Sequence, residues 1–375
     1  MNRPVIILLL IATIDRIILQ GIYPILPVMI ADLGATPRDN GIFMAITYLA
    51  IAAGSYLTPR ILGLYSSVSR LSVILAILTA ITLIAMGCGM GYTGFLVATS
   101  CYWFLCGVQI NIYSIIMTYI SPAPKSGRNF GLLANTTLVG AVIGSFFIGP
   151  VIHSLGTLSS FIVFGMMTIV TRFLMLGSGF DVVYAQHSQD TGTFRISGKL
   201  WLLLITFNAG IMLSFMGRFN LSLIMKDLHY DIDTISRIFA WGALIVFPLP
   251  WLFGVLSERI SGKWLLVVSL AAVTAAMGFL YTGNTYQSFF AVSFLICIMT
   301  YCSRGVSQKI IYDMYPISEQ KHAQSVLSSA NWVAAILGFV VVSITSGHFS
   351  LQQVSHYSFT AGVGAVVVLM FSRIR

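Results

Sequence analysis

Twelve apolar runs, parted mostly by short polar turns, leave this chain little choice of fold. About 20 apolar residues in a helix cross the hydrocarbon core of a bilayer. Inside that core each backbone polar group must be satisfied within the protein, which selects helices over open sheets. The runs fall near 5–32, 41–59, 71–89, 95–120, 130–155, 157–176, 200–225, 235–256, 264–282, 288–312, 325–346 and 356–372. Charged residues are 8% of the chain and hydrophobic ones 57%, whereas soluble proteins carry about 25% charge. The expected fold is therefore an all-α polytopic membrane protein.

The net charge of +9 would suggest nucleic acid in a soluble chain. Here Lys and Arg mark the loops that stay on the cytoplasmic side, and no nucleic-acid partner is expected. With the N-terminus inside, thirteen Lys or Arg fall on inner loops (Arg3, Arg60, Arg70, Lys125, Arg128, Arg195, Lys199, Arg259, Lys263, Lys309, Lys321, Arg373 and Arg375) and three outside (Arg38, Lys226 and Arg237). Both termini are expected in the cytoplasm. The five cysteines all fall in apolar runs, in no metal-binding spacing, and read as small buried side chains. The first run continues past a signal peptide's length without a cleavage site, so it is expected to stay as a span. No cofactor is implied, and no Walker loop, G-x-S-x-G or HExxH motif points to an enzyme.

The one long polar connection, GSGFDVVYAQHSQDTGTFRISGK at 177–199, is rich in Gly, Ser and Thr and reads as a linker. It separates an N-terminal six-helix bundle, 1–176, from a C-terminal one, 200–375. The two halves carry matching residues. Lys125, Ala134 and Asn135 recur 196 positions later as Lys321, Ala330 and Asn331. Ile42-Phe43 recurs at the same offset as Ile238-Phe239, Asp32-Leu33 as Asp227-Leu228, and Gly107-Val108 as Gly305-Val306, within two positions of that spacing. An even number of spans per copy inserts both copies with the same topology, giving two parallel six-helix repeats.

Six plus six spans, a cytoplasmic central loop and parallel repeats resemble the major facilitator superfamily (MFS), over nearly the whole chain. The sharpest local sign is Gly254-Val-Leu256-Ser-Glu258-Arg259-Ile-Ser-Gly262-Lys263, which is similar to the family's G-x-L-x-D-R-x-G-R-K signature. Glu258 stands for Asp, and the inner Gly is one place late. The matching N-terminal loop, TPRILGLYSSVSRL, keeps Arg60, Gly63 and Arg70 but has no carboxylate. The resemblance implies gating at these loops, by Glu258, Arg259 and Lys263 in one half and Arg60 and Arg70 in the other. Span 5 matches the family's antiporter signature at Ser145, Gly149 and Pro150, but His153-Ser154 replace its closing glycines. Its Gly140 and Gly144 read first as close helix packing.

Charge inside a span is expensive and usually functional. The first span carries Asp15 and Arg16 near its middle and breaks its pattern at Gly21, Pro24 and Pro27. By resemblance, spans 1, 4, 7 and 10 line a central cavity, which adds Arg218 and Arg304. Asp15 is the expected proton-coupling residue, with Arg218 or Arg304 as its partner, because Arg16 points about 100° away on the helix. The alternative is a permanent structural pair. Arg172, near the end of span 6, is expected to snorkel to the surface. Guanidinium groups hold carboxylate or phosphate with two hydrogen bonds, so Arg16, Arg218 and Arg304 favour an anionic substrate. Gln20, Tyr23, Asn111, Asn135, Gln308 and Asn331 are candidates to complete its site. Trp103 and Trp241 can stack on a ring, though Trp in spans is more often packing or an interfacial anchor.

The expected function is secondary transport of a small organic, anionic solute by alternating access, proton-coupled, with efflux favoured, in a prokaryotic inner membrane. The expected partners are a small-molecule substrate, protons and the lipid bilayer, and the expected state is a monomer. Two alternatives are a multidrug/proton antiporter and a non-transporting sensor or scaffold on the same fold; the latter is expected to carry an added soluble domain or long tail.

Overall fold

A computed structural model describes residues 3–35, 37–188, 194–230, 232–283, 285–345 and 349–372. Arg373, Arg375, His348 and residues 189–193 of the linker lie outside them, as do the side chains of Pro24, Pro27, Arg38, Ser145 and Lys226, and Gly149.

The described residues form sixteen α-helices and no strand. The first span is α1 (Arg3–Ile22), a 3₁₀ turn (Tyr23–Ile25) and α2 (Leu26–Asp32). The break falls where Pro24 and Pro27 supply no N–H to the helical ladder. Spans 2 to 6 are α3 (Pro37–Gly63), α4 (Val68–Gly87), α5 (Tyr92–Ile120), α6 (Ser126–Leu155) and α7 (Thr157–Phe173). A short helix, α8 (Phe180–Ser188), lies in the linker. Span 7 is α9 (Gly198–Asp227). Span 8 is split at Pro248 into α10 (Ile232–Val246) and α11 (Leu249–Leu256), and span 9 is α12 (Gly262–Thr282). Span 10 runs as α13 (Tyr286–Cys297), a π-helical turn (Ile298–Cys302) and α14 (Ser303–Met314). Spans 11 and 12 are α15 (Ile317–Thr345) and α16 (Leu351–Phe371). Eleven of the twelve spans are at least 18 residues long and apolar enough to cross a membrane; the twelfth, α7, has 17 residues, still within the range that a membrane helix uses.

The two repeats pack alike. Span 2 lies on span 4 (α3 on α5) as span 8 lies on span 10 (α10 on α13). Span 3 packs on span 6 (α4 on α7) as span 9 packs on span 12 (α12 on α16). Span 1 touches spans 4 and 6, and span 7 touches spans 10 and 12.

Two compact units result. Unit 1 comprises Met1–Ala123, Thr136–Phe194 and Tyr315–Trp332; unit 2 comprises Pro124–Asn135, Arg195–Met314 and Val333–Arg375. The opening turns of spans 5 and 11 thus belong to the unit of the other repeat. These two segments contain the matched residues Lys125, Ala134 and Asn135, and Lys321, Ala330 and Asn331.

The linker carries more structure than its composition suggests. In α8, Phe180 and Tyr184 are buried one turn apart, with α8 against α4 and α5. The Asp181 carboxylate accepts from the Ser69 amide at 2.9 Å, in the first turn of α4. The loop before α4 lacks a carboxylate of its own, and the linker supplies one to the positive end of that helix.

Candidate functional site

Asp15 does not meet Arg218 or Arg304. Its Oδ2 accepts from Arg172 Nη2 of α7 and from the Tyr113 hydroxyl of α5. The expected snorkelling of Arg172 is therefore corrected: its side chain is fully buried, and the Asp15 side chain is 12% exposed. The same Nη2 donates to Gln109 Oε1 at 2.8 Å. Gln109 Nε2 in turn donates to the Thr79 hydroxyl of α4 at 2.9 Å. The guanidinium carbon lies 5.3 Å from the centre of the Tyr113 ring. Four spans of unit 1 thus converge on one carboxylate, whose Oδ1 has no hydrogen-bond partner among the described residues.

The sequence of α7 carries the signal for this arrangement. Ser160, Phe161, Phe164, Gly165, Thr168, Thr171 and Arg172 are buried, whereas Leu158, Met166, Val170 and Phe173 are exposed. Small and hydroxyl side chains recur at helical spacing with the arginine, opposite a large apolar face. Read as a face, span 6 turns its arginine inward.

Arg16 is 6% exposed. Its backbone touches span 5, since a methyl group on Gly140 would lie 2.5 Å from the Arg16 carbonyl carbon and one on Gly144 would lie 2.9 Å from the Gly21 Cα. These glycines serve close helix packing, as expected. Gln20 is half-buried. Asn111 is wholly buried and committed to other helices: its Nδ2 donates to the Ser55 carbonyl of α3 at 2.9 Å and to the Ser325 hydroxyl of α15. Asn331 falls in unit 1 and Asn135 in unit 2, and the side-chain oxygen of each is buried without a partner among the described residues.

Tyr23, Tyr48, Trp103 and Trp332 form a cluster in unit 1. Ring centres are 5.3 Å apart for Tyr48 and Trp103, 6.0 Å for Tyr23 and Trp103, and 5.8 Å for Tyr48 and Trp332. Trp241, by contrast, is 52% exposed on α10.

In unit 2, Arg218 Nη2 donates to the Tyr301 hydroxyl at 3.4 Å, and its guanidinium carbon lies 5.6 Å from that ring's centre. Tyr301 sits on the π-helical turn, a feature common at functional sites and one that the sequence reading missed. Arg304 is half-buried in the next turn, and Gln308 is buried one turn further on. Lys309, read above as an inner-loop charge, is instead buried in α14 and paired with Asp313.

The signature loop of the second half makes a defined contact. Glu258 Oε1 accepts from the Arg128 amide at 2.8 Å, in the first turn of α6. The helices meet at glycines, where a methyl on Gly131 would lie 2.5 Å from the Pro250 carbonyl oxygen and one on Gly305 would lie 3.0 Å from that of Phe130. Lys263 donates to the Ser372 carbonyl at 2.5 Å, while Arg259, Arg60 and Arg70 are exposed.

Two like-packed six-span repeats with charge buried inside their spans make an all-helical membrane fold of twelve spans. The sequence profile of the Major Facilitator Superfamily matches residues 202–375, the C-terminal repeat. No curated protein matches its sequence. Among solved structures, it is similar to the human organic anion transporter MFSD10 (TETRAN), with a TM-score of 0.79 at 12% identity over 98% of this chain and 99% of that one. It is also similar to a bacterial homologue of the iron transporter ferroportin in its outward-facing state, with a TM-score of 0.75 at 15% identity over 98% and 99%. At these identities the likeness concerns the fold.

Proposed function

We propose that this transporter moves a small organic anion by alternating access, with proton coupling at Asp15. The observation that carries the reading is the buried group around that carboxylate. Asp15 is paired with the buried Arg172 and bonded by Tyr113, Arg16 is buried in the same span, and two guanidinium charges stand against one carboxylate. A proton on Asp15 raises that excess, so the anion binds more strongly to the proton-loaded state. By linkage the anion then strengthens proton binding by the same factor, and the two travel together. Arg218 beside Tyr301 and Arg304 in the next turn supply guanidinium groups for the anion in unit 2. The organic anion named for MFSD10 agrees with this substrate class.

The sequence reading favours efflux for this solute, whereas proton-linked co-transport carries it inward; efflux would fit the alternative, an antiporter in which a cationic drug and the proton compete for Asp15. The partial span 5 signature favours it; the excess of guanidinium groups opposes it. Glu258, capping the first turn of α6, is the gating contact in this proposal, and a prokaryotic inner membrane and a monomeric state complete it.

The test is uptake into proteoliposomes under an imposed pH gradient, comparing wild type with Asp15→Asn. Wild type should accumulate a labelled organic anion on the alkaline side, following the protons. Asp15→Asn should equilibrate the anion without accumulating it. Concentrative uptake by Asp15→Asn equal to wild type would remove Asp15 as the coupling site, and accumulation against the proton flow would favour the antiporter. Unchanged anion affinity in both Arg218→Gln and Arg304→Gln would remove these two residues from the anion site.

A further inference from the structure

The aromatic cluster of unit 1 brings together side chains from four spans. Tyr23 stands on the 3₁₀ turn of span 1, Tyr48 on α3, Trp103 on α5 and Trp332 on α15. Trp103, Tyr48 and Trp332 are at most 5% exposed, and Tyr23 is half-buried. Tyr23 meets both Tyr48 and Trp103 edge-on, at interplanar angles of 76° and 63°, so those two rings turn their faces or edges towards a side chain that can be reached. The Trp103 indole N–H has no acceptor among the described residues although the residue is 2% exposed. A buried donor without a partner costs free energy that an apolar side chain would not incur, so this N–H calls for an acceptor.

The duplication supplies a second observation. The offset that aligns Gly107 with Gly305 also aligns Trp103 with Tyr301. In unit 2 that aromatic ring sits on the π-helical turn under the Arg218 guanidinium. The same depth of spans 4 and 10 therefore carries an aromatic ring in both repeats, beside a cation in one and beside other rings in the other.

We infer that the Tyr23, Tyr48, Trp103 and Trp332 cluster is a subsite for a planar aromatic group of the substrate, with the Trp103 N–H donating to an acceptor on it. This rests on the anionic substrate proposed above and narrows it to aromatic organic anions. Tyr48, Trp103 and Trp332 form fixed walls. Tyr23, on the broken stretch of span 1, is the side that swings to admit the ring. An aromatic ligand ring gains offset or edge-to-face contacts that a saturated ring of the same shape lacks.

The test uses the purified full-length protein and two probes, 2-naphthoate and its saturated counterpart decalin-2-carboxylate, with binding followed by calorimetry. Naphthoate should bind roughly tenfold more tightly, the scale of one or two aromatic contacts. Trp103→Phe and Tyr23→Leu should each erode that preference several-fold, while Trp241→Phe should leave it unchanged. Tyr23, being half-exposed, keeps the test valid if the buried Trp103 variant fails to fold. Equal affinity for the two probes, or a preference intact in both variants, would overturn the aromatic subsite and leave the anion reading standing. Failure of both probes to bind would overturn the two together.

Discussion

Removing either partner of the Asp15–Arg172 pair should not be equivalent. Arg172 is fully buried, and Asp15 is nearly so. Breaking a buried ion pair by deleting one partner costs about 3–5 kcal/mol, because the remaining charge stays desolvated. A carboxyl left alone can neutralise itself by taking up a proton, whereas a guanidinium cannot lose one. Asp15→Asn should therefore sit at the upper end of that range and Arg172→Gln at the lower. Globular unfolding entropy is roughly 2.1 cal/mol/K per residue, so over 375 residues these energies correspond to a fall in Tm of about 4–6 °C. Spans that keep their helices on denaturation have less entropy to gain, which makes the fall larger. The double variant Asp15→Asn/Arg172→Gln should recover much of the loss, since no isolated charge remains. The assay is thermal unfolding of the purified protein in detergent, for wild type, both singles and the double. Single variants that unfold within a degree of wild type, or losses that simply add in the double, would refute a coupled buried pair.

Three further outcomes follow from the packing. Gly131→Ala should disrupt the contact between α6 and α11, because the new methyl would lie 2.5 Å from the Pro250 carbonyl oxygen; overpacking costs about 1–3 kcal/mol, read as a lower Tm and slower transport. Asp181→Ala removes the carboxylate that accepts from Ser69 N; a lost helix cap costs about 1 kcal/mol, and limited proteolysis should cut the linker faster while transport persists. Asn111→Ala and Ser325→Ala each delete one side of a buried tie between α5 and α15; a double-mutant cycle on stability should give a coupling energy of about 0.5–1.5 kcal/mol.

The membrane class, the twelve spans and their duplication were legible in the sequence, because a bilayer imposes a length and an apolarity that any spanning helix must show locally. The break in span 1 was legible from Pro24 and Pro27, which supply no N–H to the ladder; the split of span 8 at Pro248 was not read, and Pro59 and Pro150 stay inside continuous helices. The short helix α8 left a weaker trace, with Phe180 and Tyr184 one turn apart inside a linker rich in Gly, Ser and Thr.

Partnership was another matter. Asp15 marked itself as functional or paired by being a carboxylate in an apolar span, but nothing near it in sequence identifies Arg172, which lies 157 positions away. Which arginine it meets depends on span 6 packing beside span 1, and on the rotation of α7 that turns Thr168 and Arg172 inward. Likewise, Trp103 and Trp241 are both tryptophans in apolar runs; only the packing buries the first among three other rings and leaves the second on the outer surface. Periodicity along one helix fixes which residues share a face. The neighbour that face meets is set by contacts between distant segments, and those exist only in the tertiary structure.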